Sequence, residues 1–184
     1  GFLMLEALDS VLLEGRIPLA VLTGFGMSSD AHHMTAPPED GRGAASAMEK
    51  ALSCAQITPL DVGYVNAHGT GTRLNDAAEA CALSRVFGNT PVMSCKGLTG
   101  HTLGGAGALE AVISVLSLQE GNAFENFGAH IASDDCPVNL IGKGGQAFDP
   151  EKYVVSASFA FGGNNCVLVF GGVGTTVLAG EFVG

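Results

Sequence analysis

Apolar residues recur along this chain at two spacings, every second residue and every third to fourth. The first spacing marks strands and the second marks helices. Residues 1–6 read as a short strand. Ala7–Glu14 carries Leu8, Val11 and Leu12 at helical spacing and stops at Gly15. Leu19–Met27 is a strand run, and the polar loop Ser28–Asp40 after it holds His32, His33 and Pro37-Pro38. Ala44–Ala55 sets Ala45, Met48, Leu52 and Ala55 on one helical face. Val62–Val65 is a short buried strand ending in the turn Asn66–Thr72. Asn75–Phe87 reads as a helix capped by Asn75 or Asp76, with Glu79 in its early turns. Pro91–Cys95 is a further strand, and after Lys96–His101 a helix runs to about Glu120.

Asn122–Asp149 shows little periodicity and predicts a long ordered loop with a short strand near Val138–Ile141. Tyr153–Phe159 and Cys166–Phe170 flank the turn Ala160–Asn165, as in a β-hairpin. Val173–Val183 reads as one more strand. Strands alternating with helices predict one α/β domain with a mainly parallel sheet, to which the closing hairpin adds antiparallel pairing.

Composition narrows the function. The chain has 184 residues, 47% of them apolar and only 14% charged, with 27 glycines and a net charge of −10. It is therefore globular, and it carries apolar surface to bury against something beyond itself. Eight scattered cations form no patch, which argues against a nucleic-acid partner. No apolar run is long enough for a membrane span, since Ala108–Leu118 is short and contains Glu110. No secretory signal opens the chain, and without an initiator Met it reads as a strand entered midway. Five dispersed cysteines without a C-x-x-C predict reduced thiols in a cytoplasmic protein rather than disulfides or a zinc cage. The histidines show no metal-binding spacing.

Three glycine-rich turns carry the candidate chemistry, each after a predicted strand, where ligands collect in open α/β sheets. Asn66–Thr72 offers the His68 imidazole and the Thr70 and Thr72 hydroxyls. Lys96–Gly107 places His101 just before or at the start of a helix, where the macrodipole keeps an imidazole neutral. Phe159–Asn165 holds Gly162-Gly163, whose backbone N–H groups read as exposed donors. Two neutral imidazoles converging on one carbonyl oxygen would stabilise an enolate. Each feature also has a plain reading. Glycine turns are common, His68 fits a satisfied loop histidine, His32 and His33 fit the surface, and Lys96 with Glu79 fits an ordinary ion pair.

The turns Val65-Asn66-Ala67-His68-Gly69-Thr70-Gly71-Thr72, Lys96 with Thr99-Gly100-His101, and Phe159-Ala160-Phe161-Gly162-Gly163-Asn164-Asn165 occur in that order. Gly26–Ala31 and Met34–Pro37 join them. In this combination the chain, from Gly1 to about Gly171, resembles the C-terminal half of a β-ketoacyl-[acyl-carrier-protein] synthase of the elongating Cys-His-His type.

The resemblance implies a thiolase-like fold, in which two α/β halves pack into an αβαβα sandwich and this half supplies a mixed, mainly parallel five-stranded sheet flanked by helices. It implies decarboxylative condensation of malonyl-carrier protein with an acyl thioester, in fatty acid or polyketide synthesis. His68 and His101 would promote decarboxylation. Lys96 would pair with Glu79 and hold the second histidine loop. Thr70 and Thr72 would contact the phosphopantetheine arm beside Gly162 and Gly163, and Phe161 would gate the nucleophile.

No resident cofactor is implied, since the 4′-phosphopantetheine belongs to the acyl carrier protein. The partners implied are that carrier protein, with Arg73 as one contact, the N-terminal half, and a second subunit in a homodimer or heterodimer. The family's nucleophilic cysteine has no counterpart among these five, and Cys81 reads as mid-helix packing. The isolated chain is therefore expected to be inactive. Ala160 stands where the family often has glycine. The synthase domain is expected over residues 1–172, with 173–184 as a tail of no assigned role. A degradative thiolase would carry a second cysteine where Phe161-Gly162-Gly163-Asn164 stands, and a single-histidine initiating synthase conflicts with the histidine pair. A non-catalytic partner subunit that sets chain length is the main alternative, and such subunits commonly lose both histidines.

Overall fold

A computed structural model describes residues 1–129, 131–134 and 136–174. After the short helix α1 (Leu8–Leu13), the order is β1 (Val21–Ser29), α2 (Arg42–Ala55), β2 (Val62–Asn66), α3 (Arg73–Phe87), β3 (Val92–Met93), α4 (Lys96–Thr99), α5 (Ala106–Glu120), β4 (Asn122–Ala123), β5 (Gln146–Ala147), β6 (Tyr153–Ala160) and β7 (Asn164–Gly171). Two single turns of 3-10 helix add Pro59–Asp61 and Leu103–Gly105.

The five-stranded sheet has the order β1-β7-β6-β2-β3. β2 runs parallel to both β3 and β6, whereas β7 is antiparallel to both β6 and β1. The hairpin β6–β7 thus sits in the middle of the sheet and reverses its sense. β4 and β5 pair separately.

Helices cover both faces. On one, α2 and α3 pack on the sheet through Met48, Leu52, Leu83 and Phe87 against Val65, Val155 and Val167. The Ala-rich face of α2 lets β1 come so close that a Cβ on Gly24 would lie 2.6 Å from the Ala55 backbone nitrogen. On the other face, α5 supplies Ala111, Ile113 and Val115 against Tyr64, Val154 and Phe170. The C-terminal ends of β2, β3, β6 and β1 share one edge of the sheet. Asn66 is level there with Met93 and Ser156, and Ser29 with Asn164.

Several expectations change. Residues 1–6 form no strand, and Phe2, Met4 and Leu5 are exposed. Helix α3 starts at Arg73 after Thr72, with no side-chain cap from Asn75 or Asp76. Val138–Ile141 makes only an isolated bridge, Leu140 to Val92. Cys81 is exposed on α3 rather than packed. The strand expected over Val173–Val183 falls almost wholly on 175–184, outside the described residues. Among the described residues no helix is long and apolar enough to cross a membrane.

Candidate active site

The first turn continues β2. The Ala67 N–H bonds the Met93 carbonyl at 2.7 Å, which extends the parallel ladder by one residue and delivers His68 to the sheet edge. Glu79, one turn into α3, reaches back under this turn. Its two carboxylate oxygens accept the N–H groups of His68 and Gly69, each at 2.8 Å, and the Asn75 amide donates at 3.4 Å. Burial pushes the Glu79 carboxyl up to about 7 against the pull of those two backbone donors.

The expected Lys96–Glu79 ion pair is replaced by another. Lys96 is buried and its ammonium pairs with Glu110 on α5. The same ammonium donates to the His68 carbonyl and lies 3.3 Å from His68 Nδ1. Lys96 therefore touches the first histidine through its ammonium, and its carbonyl accepts the Gly100 N–H at 2.9 Å in the second histidine loop. Glu110 also accepts the Ser158 hydroxyl at 3.2 Å, and burial raises its carboxyl while Lys96 opposes that rise. Sequence reasoning passed over Glu110 in its apolar helix, although an acid in such a run demands a partner.

The two imidazoles meet. Their centroids are 5.4 Å apart with an interplanar angle of 85°, and Phe159 packs against His68 at 5.8 Å. Burial holds His68 down to about 3, helped by the Lys96 charge and by His101. The neutral ring thus owes its state to desolvation and a cation. His101 does not sit at the start of a long helix, because α5 begins only at Ala106. Instead its Nδ1 accepts the Leu103 N–H at 3.2 Å. With both Nδ1 atoms facing donors, each ring keeps its proton on Nε2.

The third turn differs from its expectation. The Gly162 N–H bonds the Met34 carbonyl at 2.7 Å and the Gly163 N–H bonds the Ala160 carbonyl at 3.1 Å, so neither is an open donor. Both glycines hold positive φ, 83° and 73°. Gly163 lies against Asp30, whose own N–H bonds the Gly163 carbonyl at 2.8 Å and whose carboxylate accepts the Asn165 amide at 2.7 Å. The turn is thereby tied to the loop after β1. Phe161 projects from it, 77% exposed. Ala160 ends β6 at ordinary φ, so that position imposes no need for glycine.

Thr70 and Thr72 share a hydroxyl–hydroxyl bond of 2.7 Å at the rim. A cavity of about 530 Å³ opens beside Thr70, with Glu79, Lys96, His101, Leu83 and Val138 also among its walls. Among the described residues no group of three or more His, Cys, Asp or Glu side chains is placed to hold a metal ion.

The family model for the C-terminal domain of β-ketoacyl synthases matches residues 19–129. The 3-oxoacyl-[acyl-carrier-protein] synthase 2 of Vibrio harveyi is 42% identical over 175 residues, which cover 92% of this chain and 42% of that protein. A β-ketoacyl synthase from Burkholderia phymatum STM815 matches in structure with a TM-score of 0.87 at 38% identity, over 91% of this chain and 41% of its own. A chain from the complex of a ketosynthase with its chain length factor from Xenorhabdus doucetiae gives 0.75 at 44% identity, over 85% and 40%. The chain spans less than half the length of the relatives it matches. A shared fold and a family match over more than half of the residues agree with the three motifs at one sheet edge, and the chain belongs to the β-ketoacyl synthase family, as its C-terminal, thiolase-like domain.

Proposed function

We propose that this chain is the C-terminal half of a 3-oxoacyl-[acyl-carrier-protein] synthase and supplies the decarboxylating histidines of a Claisen condensation. The observation that carries the reading is the His68–His101 pair, 5.4 Å apart, with each Nδ1 engaged by Lys96 or Leu103 and each Nε2–H left for substrate. Both protons would point at the thioester oxygen of malonyl-carrier protein. The bond from C2 to the free carboxylate breaks, carbon dioxide leaves, and the electron pair passes onto that oxygen as an enolate. Two preorganised donors in a dehydrated site stabilise such a charge by several kcal/mol, on the order of 3 for each donor. The C2 carbanion then attacks the carbonyl of an acyl group held on a cysteine in the rest of the synthase. A carbon–carbon bond forms and the cysteine thiolate departs.

A neutral His68 suits this role, because an imidazolium in the ground state would be held only against burial and the Lys96 charge. Thr70 and Thr72 stand at the rim where the carrier's phosphopantetheine arm would enter, and Phe161 is exposed on the adjoining turn. The acyl carrier protein, the N-terminal half and a second subunit are the partners proposed. The likeness to a ketosynthase–chain length factor complex supports a second reading, a partner subunit that sets chain length. The engaged imidazole pair favours the enzyme, since a partner subunit has no use for it.

The test uses the full-length gene product. His68→Ala and His101→Ala are each expected to lower carbon dioxide release from malonyl-carrier protein by on the order of a hundredfold, with acyl loading retained. Decarboxylation at the normal rate in both variants refutes the enolate role. The isolated chain is expected to give no condensation.

A further inference from the structure

The condensation scheme gives Glu110 no task of its own, although its carboxylate is buried and stands one contact away from His68. Its two oxygens are held by different elements. Oε1 pairs with the Lys96 ammonium from α4, which also donates to the His68 carbonyl and lies 3.3 Å from His68 Nδ1. Oε2 accepts the Ser158 hydroxyl at 3.2 Å from β6. Two donors on two elements thus fix the direction of the carboxylate, and the Lys96 ammonium is fixed with it.

Ser158 reaches Glu110 because α5 puts no side chain in the way. A Cβ on Gly107, three positions before Glu110 on the same helical face, would lie 3.2 Å from the Ser158 hydroxyl oxygen and 4.0 Å from the Ser158 Cβ. Successive strand residues leave by opposite faces of a sheet. The next residue on β6, Phe159, packs its ring against His68 at 5.8 Å. β6 therefore acts on the His68 imidazole twice, directly through Phe159 and at two removes through Ser158, Glu110 and Lys96. Burial raises the Glu110 carboxyl, and Lys96, Ser158 and His101 oppose that rise.

We propose that Ser158 is a positioning residue for decarboxylation: its hydroxyl aims the Glu110 carboxylate, which holds Lys96 on Nδ1 of His68 and so keeps the His68 proton on Nε2. This role rests on the enolate chemistry proposed for the histidine pair. An alanine at 158 takes a donor from a buried carboxylate oxygen. The carboxylate then turns or takes up a proton, and the ammonium loosens from Nδ1. The imidazole proton distributes over both nitrogens, and the molecules with Nε2 bare lose one donor to the substrate oxygen.

The test compares Ser158→Ala and Ser158→Thr with wild type in the full-length gene product. Nitrogen-15 imidazole shifts of His68 are expected to show one tautomer in wild type and in Ser158→Thr, which keeps the hydroxyl, and a mixture in Ser158→Ala. In Ser158→Ala the kcat of carbon dioxide release from malonyl-carrier protein is expected to fall on the order of tenfold, with KM and acyl loading unchanged. Ser158→Thr is expected to restore the rate. A wild-type tautomer in Ser158→Ala overturns the inference, as does a wild-type rate in that variant where His68→Ala is slow. Normal decarboxylation by His68→Ala refutes the enolate chemistry instead, and the tautomer still reports whether Ser158 positions the ring. Should Ser158→Ala not fold, Gly107→Ala, which crowds the same hydroxyl, decides by the same two measurements.

Discussion

The backbone N–H of Leu103 donates to Nδ1 of His101 at 3.2 Å, and Leu103 holds a left-handed φ of 52° while doing so. An L-residue there is strained by roughly 1–2 kcal/mol. The side chain is 77% exposed, so little packing offsets the strain. Leu103→Gly keeps the N–H and removes the strain, against about 1 kcal/mol of added chain entropy in the unfolded state. The thermal midpoint is expected to stay level or rise slightly. Imidazole nitrogen-15 shifts are expected to report the same His101 tautomer. Leu103→Pro removes the donor and cannot adopt this φ, so the tautomer should become mixed and decarboxylation should fall. An unmixed tautomer in a folded Leu103→Pro variant contradicts the role given to this bond.

Lys96 and Glu110 are a buried ion pair whose ammonium also touches His68 twice. Removing one partner strands the other away from water. Lys96→Met or Glu110→Gln is therefore expected to cost about 3–5 kcal/mol in denaturant unfolding. The double variant should cost clearly less than the two singles added, because no charge is left stranded. Lys96→Met should also let the His68 pKa rise, since the lysine charge is its second largest depressor. Additive losses in the cycle contradict the pairing.

Gly163 joins the third turn to the loop after β1. A Cβ there would sit 2.8 Å from the Asp30 Cβ, on a backbone with φ of 73°. Gly163→Ala therefore pushes Asp30 away from the Asn165 amide and strains the turn as well. A loss of about 2–4 kcal/mol is expected from these two causes together. Asn165→Asp sets a second carboxylate 2.7 Å from Asp30 and is expected to loosen the same junction by charge repulsion. Proteolysis at the 30–36 loop measures both effects, and a cleavage rate equal to wild type contradicts the link.

The motifs were legible because each is local. A glycine turn after an apolar strand places its own histidine or threonine without help from distant residues. The partners of those histidines were not, because they are set by tertiary contact. Lys96 pairs with Glu110, fourteen positions away in a run that reads as apolar, and not with Glu79 on α3. Glu79 instead serves backbone N–H groups, a use that side-chain pairing arguments overlook. The sheet's reversal in the middle follows from the central place of the β6–β7 hairpin, whereas sequence order alone does not give spatial order. Glu110 and Ser114 stand in the sequence as polar residues four apart within an apolar run, and both meet the Asn66 amide at the end of β2.

Glu79 and His68 pull the pH dependence of stability in opposite directions. The Glu79 carboxyl lies at about 7 in the folded chain against an ordinary 4.5. The folded state thus binds the extra proton between those values. The associated stability is full below 4.5 and is lost as pH rises through 7. His68 lies at about 3 against an ordinary 6.5. There the unfolded state binds the extra proton, so its contribution is full above 6.5 and is lost as pH falls toward 3. The two windows overlap between 4.5 and 6.5, and the wild-type profile is expected to be shallow there. Glu79→Gln removes the first contribution, so stability should climb with pH across the overlap. His68→Gln removes the second, so stability should fall across it. Denaturant unfolding of the full-length protein at steps across this range measures the slopes. Equal slopes in the two variants would contradict the opposed assignments, whereas slopes of opposite sign tie the buried carboxyl and the neutral imidazole to the same turn.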